Sequence, residues 1–146
     1  MAIHDDIPKP VSPSLPIDDH DLLPALLTTH TSVWASFTAE RIHRWPKADQ
    51  LDDHLVQHLT YAHQHLFQVR VTVAVTDTDR EVSFERLRSE ARFMFDETIP
   101  SNSTMSCERM ASVLATNLLQ TYPALLEVVV SEDGLNGATW HRRLTT

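Results

Sequence analysis

The spacing of apolar residues along this chain changes from the alternation of strands to the spacing of helices and then back to strands. These two changes constrain the fold more than any other feature. From Val33 to His43 apolar and polar residues alternate, and a second alternating segment, rich in β-branched residues, covers 66–75. Such alternation is typical of a strand with one face buried. The sequence therefore predicts two consecutive strands, which suit an antiparallel hairpin.

Two segments with helical spacing follow these strands. Ser83 is a candidate N-cap of the first helix. The apolar residues of that helix are Phe84, Leu87, Ala91, Met94 and Phe95. A second helix with one apolar stripe is predicted over 106–121, and Pro123 ends it. Residues 99–104 are predicted to form a loop between the helices.

The last part of the domain returns to strands. The sequence predicts a third strand over 125–130, a turn over 133–137 and a short fourth strand over 138–143. The order ββααββ predicts an α+β fold, in which a four-stranded antiparallel sheet carries two helices inserted between strands 2 and 3. We expect its exposed edges to be covered when the chain oligomerises into a closed barrel.

The first 30 residues differ from the rest of the chain. Five of the eight prolines lie there, interleaved with Asp and Ser. Proline fixes φ and removes a backbone donor, so regular structure is disfavoured. We predict a Pro-rich N-terminal arm over residues 1–30 and one domain over 31–146.

Composition narrows the function classes. The 146 residues include 12 basic and 20 acidic side chains, and the net charge of −8 argues against a nucleic-acid partner. The absence of a long apolar run argues against a membrane partner. The single cysteine and an acidic N-terminus predict a cytoplasmic location. With 2 glycines a Gly-rich phosphate loop is excluded, whereas 9 histidines favour metal binding or acid–base chemistry.

The sharpest local feature is the segment His63-Gln64-His65 at the entry to the second strand. Residues two apart in a strand face the same side, so the two imidazoles can share one metal ion. His43 closes the first strand, and antiparallel pairing would place it beside them. Three imidazoles are the ligand set of a catalytic zinc site that leaves a position open for water or substrate.

Other interpretations of these residue types stay open. A single H-x-H pair also arises by chance in a histidine-rich chain. His54 and His58 are four residues apart and would share one face of a helix, although we favour a solvated connector there. Cys107 lies at a predicted helix N-terminus, where the pKa of a thiol is lowered, but we favour a small residue in the first helical turn.

Five segments, in order over 33–143, resemble the 6-pyruvoyl-tetrahydropterin synthase and 6-carboxytetrahydropterin synthase family. Residues 63–71 resemble its H-G-H-N-Y-x-V-x-V stretch, and 37–39 resemble the F-x-A of its first strand. Residues 80–87, 106–111 and 128–138 are similar to its G-x-V-x-D-F-x-x-L, T-x-E-N-L-A and V-x-V-x-E-T-x-x-x-G-A segments.

The resemblance implies the tunnelling fold, a homo-oligomer (hexamer or tetramer) that binds pterin- or purine-like rings between subunits. It also implies zinc held by three histidines, here His43, His63 and His65, and a substrate-binding glutamate, here Glu132. A carboxylate only accepts hydrogen bonds and suits an adjacent pair of ring N–H donors.

The function that follows is a divergent zinc-dependent lyase acting on a dihydroneopterin-triphosphate-like or related nucleotide-derived substrate. The alternative is a non-catalytic pterin- or purine-binding protein of the same fold.

Several positions depart from the family pattern. The first ligand usually lies four residues after the phenylalanine, where this chain has Arg41, and His43 lies two residues further on. The catalytic cysteine of the family has no counterpart over 44–62, and its Asp–His pair is represented by Asp96-Glu97. Proton abstraction needs a positioned base. We expect Asp96 and His54 to be the catalytic residues, with Asp52, Asp53 and His58 as further candidates.

Overall fold

The computed structural model describes residues 31–143 of the chain. The predicted arm over 1–30 lies outside the described residues, so the boundary between arm and domain stays a prediction. Within residues 31–143, no helix has the length and apolar character needed to cross a membrane.

The described residues form five strands and two α-helices. In chain order they are β1 (Thr31–His43), β2 (His63–Val75), α1 (Phe84–Thr98), β3 (Asn102–Ser103), α2 (Cys107–Thr121), β4 (Leu125–Glu132) and β5 (Asn136–His141). Two short 3₁₀ turns, Ala48–Gln50 and Gln57–Thr60, lie in the connection between β1 and β2.

The strands form one mixed sheet in the order β3-β1-β2-β4-β5. β1 with β2, β2 with β4, and β4 with β5 pair antiparallel, whereas β3 pairs parallel to the end of β1. The α+β class with two helices is confirmed, but the predicted count of four strands was too low. The fifth strand, β3, lies in the segment predicted as a loop.

The additional strand satisfies backbone groups at the edge of β1. Ile42 N–H donates to Ser101 O at 2.9 Å, and Arg44 N–H donates to Ser103 O at 3.2 Å. A strand of two residues has no periodicity of its own, so the apolar pattern could not reveal it. Its effect is to fix the end of β1, where His43 lies.

One face of the sheet packs against both helices to form the core. The inward residues of β2 are Phe67, Val69, Val71 and Val73, each at most 2% exposed. From the helices the core receives Leu87, Ala91, Phe95, Met110, Ala111, Leu114, Ala115 and Leu118. Phe84, predicted to join the apolar stripe of α1, is 57% exposed because it lies in the first turn, beyond the edge of this core.

Both helices begin with a serine cap. The Ser83 hydroxyl accepts a hydrogen bond from Arg86 N–H, and Ser106 accepts one from Arg109 N–H, each at 3.3 Å. These bonds satisfy donors that a helix N-terminus leaves unpaired. The cap at Ser106 fixes the direction in which α2 starts, and therefore the position of Cys107.

The hairpin between β4 and β5 has a tightly constrained backbone. Asp133 and Gly134 have φ values of 53° and 72°, and Asp-Gly suits a turn with positive φ at both central positions. Leu135 N–H closes the turn on Glu132 O at 3.0 Å. Further along, a Cβ atom at Gly137 would lie 2.4 Å from Val130 O. Only glycine fits at that position.

Candidate metal centre

Three histidines converge where β1 ends and β2 begins. His43 and His63 are direct partners in the antiparallel register, and His65 is two residues further along β2, on the same face. One ring nitrogen from each histidine lies within 4.8 Å of the other two. The strand pairing therefore brings together the three imidazoles that the sequence singled out.

Arg41, at the position where the resembling family has its first ligand, does not join the cluster. Arg41 is paired with His65 in the register, but its guanidinium lies 5.1 Å from the ring centroid of Phe95. Its Nε donates to Ile99 O at 3.3 Å. The shift of two residues preserves the face of the strand, so His43 can supply the third imidazole.

Two ring nitrogens of the cluster are buried and make no hydrogen bond within residues 31–143. These atoms are Nδ1 of His43 and Nε2 of His63. The other nitrogen of His63, Nδ1, lies 2.7 Å from Tyr61 O, which can only accept a hydrogen bond. His63 Nε2 therefore carries a lone pair. Buried polar atoms are normally bonded, and a metal ion is a partner that these nitrogen atoms fit.

The environment keeps His43 in the form that binds metals. Burial lowers the pKa of the His43 imidazole, outweighing the opposite effect of the neighbouring Glu132 carboxylate. Because the neutral imidazole is the ligand, a lowered pKa favours metal binding near neutral pH.

Glu132, the predicted substrate-binding residue, lies beside the histidine cluster at the end of β4. Its Oε1 is 3.3 Å from His43 Nδ1, and its Oε2 is 3.9 Å from His65 Nε2. Its side chain is 25% exposed. The carboxylate is therefore partly buried and still accessible to a ligand.

A cavity of about 510 Å³ opens next to the cluster, within the range of small-molecule sites. His43, His63 and Glu132 line it, together with Cys107 and Trp45. Two histidines of the cluster and the Glu132 carboxylate thus contact the same volume, which is suited to a small ligand with polar groups.

Cys107 lines this cavity, although sequence reasoning gave it no role. Burial, with a smaller effect of the Glu132 carboxylate, raises the pKa of its thiol to about 12. A helix N-terminus alone would lower the pKa of a thiol, so the rise at Cys107 is opposite to that expectation. The thiol is therefore protonated at neutral pH and can donate a hydrogen bond toward Glu132. Its position after the helix cap Ser106 was the only sequence signal for it.

Asp96, a predicted catalytic residue, is engaged in an ion-pair network. Its carboxylate accepts hydrogen bonds from Arg41 Nη2 at 2.5 Å and from Arg92 Nε at 2.7 Å. Burial acts to raise the pKa of Asp96, but the two guanidinium groups outweigh it and hold the pKa below its usual value. Arg92 also donates to Thr38 O, so the network links α1 to β1. Asp96 does not line the cavity.

His54, the other predicted catalytic residue, is exposed in the connection between β1 and β2 and does not line the cavity. The helix that would place His54 and His58 on one face does not form. His58 belongs to the 3₁₀ turn that starts at Gln57, and His54 precedes it. From the same connection, Trp45 and Leu59 reach the cavity and are joined by a Trp45 N–H to Leu59 O bond of 2.7 Å.

No protein-family model matches this sequence, and no curated protein matches it. Among solved structures, the chain is similar to the 6-pyruvoyl tetrahydropterin synthase of Caenorhabditis elegans, with a TM-score of 0.57 and 12% sequence identity. The match covers 79% of this chain and 97% of that chain. At this identity the likeness shows a common fold. The mixed α+β architecture predicted from the sequence therefore corresponds to that of a pterin synthase.

Proposed function

We propose that this protein is a divergent zinc-dependent lyase of the pterin-synthase type, acting on a dihydroneopterin-triphosphate-like or related nucleotide-derived substrate. The observation that carries this proposal is the convergence of His43, His63 and His65 beside Glu132. Two of these histidines, His43 and His63, line one cavity together with Glu132. The similarity of the fold to a pterin synthase supports it.

The three histidines would hold the zinc ion. Three imidazoles within reach of one another, two of them with a buried nitrogen that makes no hydrogen bond, match the donor set of a catalytic site with three protein ligands. Zinc bound there would supply a Lewis acid for oxygen atoms of the substrate side chain. Tyr61 O holds the His63 ring through Nδ1 and keeps Nε2 directed into the cluster.

Glu132 would bind the heterocycle. Its carboxylate can accept two adjacent N–H groups, as found on the pyrimidine edge of a pterin or purine. The protonated Cys107 thiol lies beside this carboxylate and helps to hold it in place. Glu132 thus selects rings that present paired donors.

A non-catalytic pterin- or purine-binding protein is the second candidate, and one observation favours it. The residues proposed for proton transfer, Asp96 and His54, do not line the cavity, and the Cys107 thiol is protonated. A catalytic role for Asp96 or His54 remains a sequence-based prediction that requires movement of the chain or a second subunit. We propose a homo-oligomer, a hexamer or tetramer, which would supply such a subunit.

The two functions are separated by metal analysis, binding and turnover on the purified full chain. We expect one zinc per chain, which His63→Ala removes and His54→Ala leaves in place, and light scattering should show an oligomer. Pterin or deazaguanine precursors should raise the melting temperature of the wild type. The increase should be smaller for Glu132→Gln. Turnover supports the lyase, and binding without turnover supports the binding protein. Metal-free wild type with no effect of His63→Ala would contradict the zinc-dependent lyase, and a wild type that binds none of these precursors would contradict both functions.

A further inference from the structure

Asp133, which follows Glu132 in the hairpin turn, is fixed to β2 at three points. Its Oδ2 lies 2.6 Å from His65 Nδ1, and its Oδ1 accepts a hydrogen bond from Leu66 N–H at 2.9 Å. Its backbone N–H donates to Leu66 O at 3.1 Å. Both carboxylate oxygens are thus used on one short segment of β2.

This arrangement determines which nitrogen of His65 carries the hydrogen. An ionised carboxylate can only accept, so Nδ1 must donate to Oδ2, and in the neutral imidazole that binds metals Nε2 carries the lone pair. Nε2 is the atom on the side of the Glu132 carboxylate, 3.9 Å from its Oε2. The imidazole therefore presents its lone pair toward the cluster.

The neighbouring histidine is held in the same way by a different acceptor. His63 Nδ1 contacts the backbone oxygen of Tyr61 at 2.7 Å. Metal-binding histidines commonly donate their second N–H to a carbonyl or a carboxylate, which fixes the tautomer and the ring orientation. Both histidines of the H-x-H segment are thus oriented through Nδ1.

The backbone at Asp133 shows that residue type matters here. Its φ of 53° is in the left-handed region, which Asp and Asn adopt more readily than most residues. Asn would satisfy this backbone and could keep the Leu66 bond. The interaction with His65 is what distinguishes Asp from Asn at this position.

We propose that Asp133 is a positioning residue of the metal centre, which fixes the Nδ1–H tautomer of His65 and holds its Nε2 ready to bind zinc. This inference rests on the zinc site proposed above and assigns the orientation of one ligand to a residue outside the ligand set.

The test compares wild type with Asp133→Asn, in which an amide N–H₂ replaces Oδ2 and donates to Nδ1. The hydrogen then moves to Nε2, the atom that must be free. We expect zinc affinity, measured by competition with a chromophoric chelator, to fall about 10–100-fold. The control variant is Asp79→Asn, which removes one negative charge from a residue beyond the opposite end of β2. It should leave the zinc affinity unchanged. Circular dichroism and melting temperature verify that each variant is folded.

A second measurement does not require metal. Long-range ¹H–¹⁵N NMR on the zinc-free full chain, at a pH where histidine is neutral, about 8, should show His65 protonated at Nδ1 in the wild type. Asp133→Asn should show it protonated at Nε2. Equal zinc affinities, or an Nε2–H tautomer in the wild type, would overturn the role of Asp133. A wild type that binds no zinc but has the Nδ1–H tautomer would instead refute the zinc site.

Discussion

His43, the last residue of β1, lies directly opposite His63, the first residue of β2, and their ring centroids are 5.8 Å apart. A 19-residue connection joins these two strand ends. Any cation held by both rings links the two strand ends at the base of this connection. Metal occupancy should therefore affect stability as well as chemistry.

The first prediction concerns metal removal. Zinc that binds the folded chain at 100 times its Kd stabilises it by about 2.7 kcal/mol, so chelation should lower the melting temperature. His43→Ala should remove the zinc-dependent difference, whereas the exposed His54→Ala should keep it. Calorimetric scans with zinc or chelator measure both. An equal response of the two variants to zinc would refute His43 as a ligand.

The second prediction concerns Asp96 and pH. The pKa of Asp96 is below its usual 3.8 in the folded state, since Arg92 and Arg41 donate to its carboxylate. The stability that it contributes is therefore fully present above about pH 4 and is lost as the pH falls through the lowered pKa. At pH 7 Asp96→Asn should reduce the free energy of unfolding by about 1 kcal/mol, because the site is partly exposed.

Denaturant titrations of wild type and Asp96→Asn from pH 7 to pH 3 measure this difference. The difference in the free energy of unfolding between the two proteins should become smaller below pH 4. Glu97→Gln, an adjacent exposed carboxylate on α1, is the matched control and should change stability little. If Asp96→Asn abolished turnover while stability stayed constant, the ion-pair role would be wrong and the catalytic role supported.

The third prediction concerns the reactivity of Cys107. A thiol pKa of about 12 in place of the ordinary 9.0 leaves on the order of a thousandfold less thiolate at pH 8, so alkylation should be at least about a hundredfold slower than for an exposed cysteine. Glu132→Gln removes the nearby negative charge and should accelerate alkylation. Iodoacetamide labelling followed by mass spectrometry measures the rates. Labelling as fast as in denatured chain would contradict the burial of this thiol.

The fourth prediction concerns the contact between the two helices. The Tyr122 hydroxyl donates to Glu90 Oε2 at 2.5 Å, and burial with this bond raises the pKa of Tyr122 to about 12. Tyr122→Phe should lower the free energy of unfolding by about 1–2 kcal/mol. The loss should be constant below pH 10 and disappear as the pH rises toward 12, which chemical denaturation at several pH values can measure. An unchanged stability at pH 7 would show that the bond contributes nothing.

Much of the fold was predictable because it depends on local periodicity. Alternation located β1 and β2, although β2 starts at His63 rather than at Leu66. The serine caps placed both helices within a residue of their true starts. Periodicity could not show β3, because this strand has two residues and is defined by its pairing with the end of β1.

The histidine cluster was predictable for a related reason. Strand parity puts His63 and His65 on one face, and antiparallel pairing of consecutive strands adds His43. The Arg41 contact of Asp96 and the His65 contact of Asp133 were not predictable, since each joins residues more than fifty positions apart in the sequence. The prediction that Asp96 is catalytic did not include Arg92, four residues before it on the same helix, or Arg41, which the fold brings to it.

The glycine at position 137 has a consequence for how ligand preference can change. Its backbone forms part of the cavity wall, and any side chain there would collide with the carbonyl of Val130 and displace the strand that carries Glu132. Substitution of the glycine at position 137 is therefore blocked. The cavity can be reshaped more readily from the exposed connection that supplies Trp45 and Leu59, where substitutions leave the sheet intact. A new specificity would be selected there first.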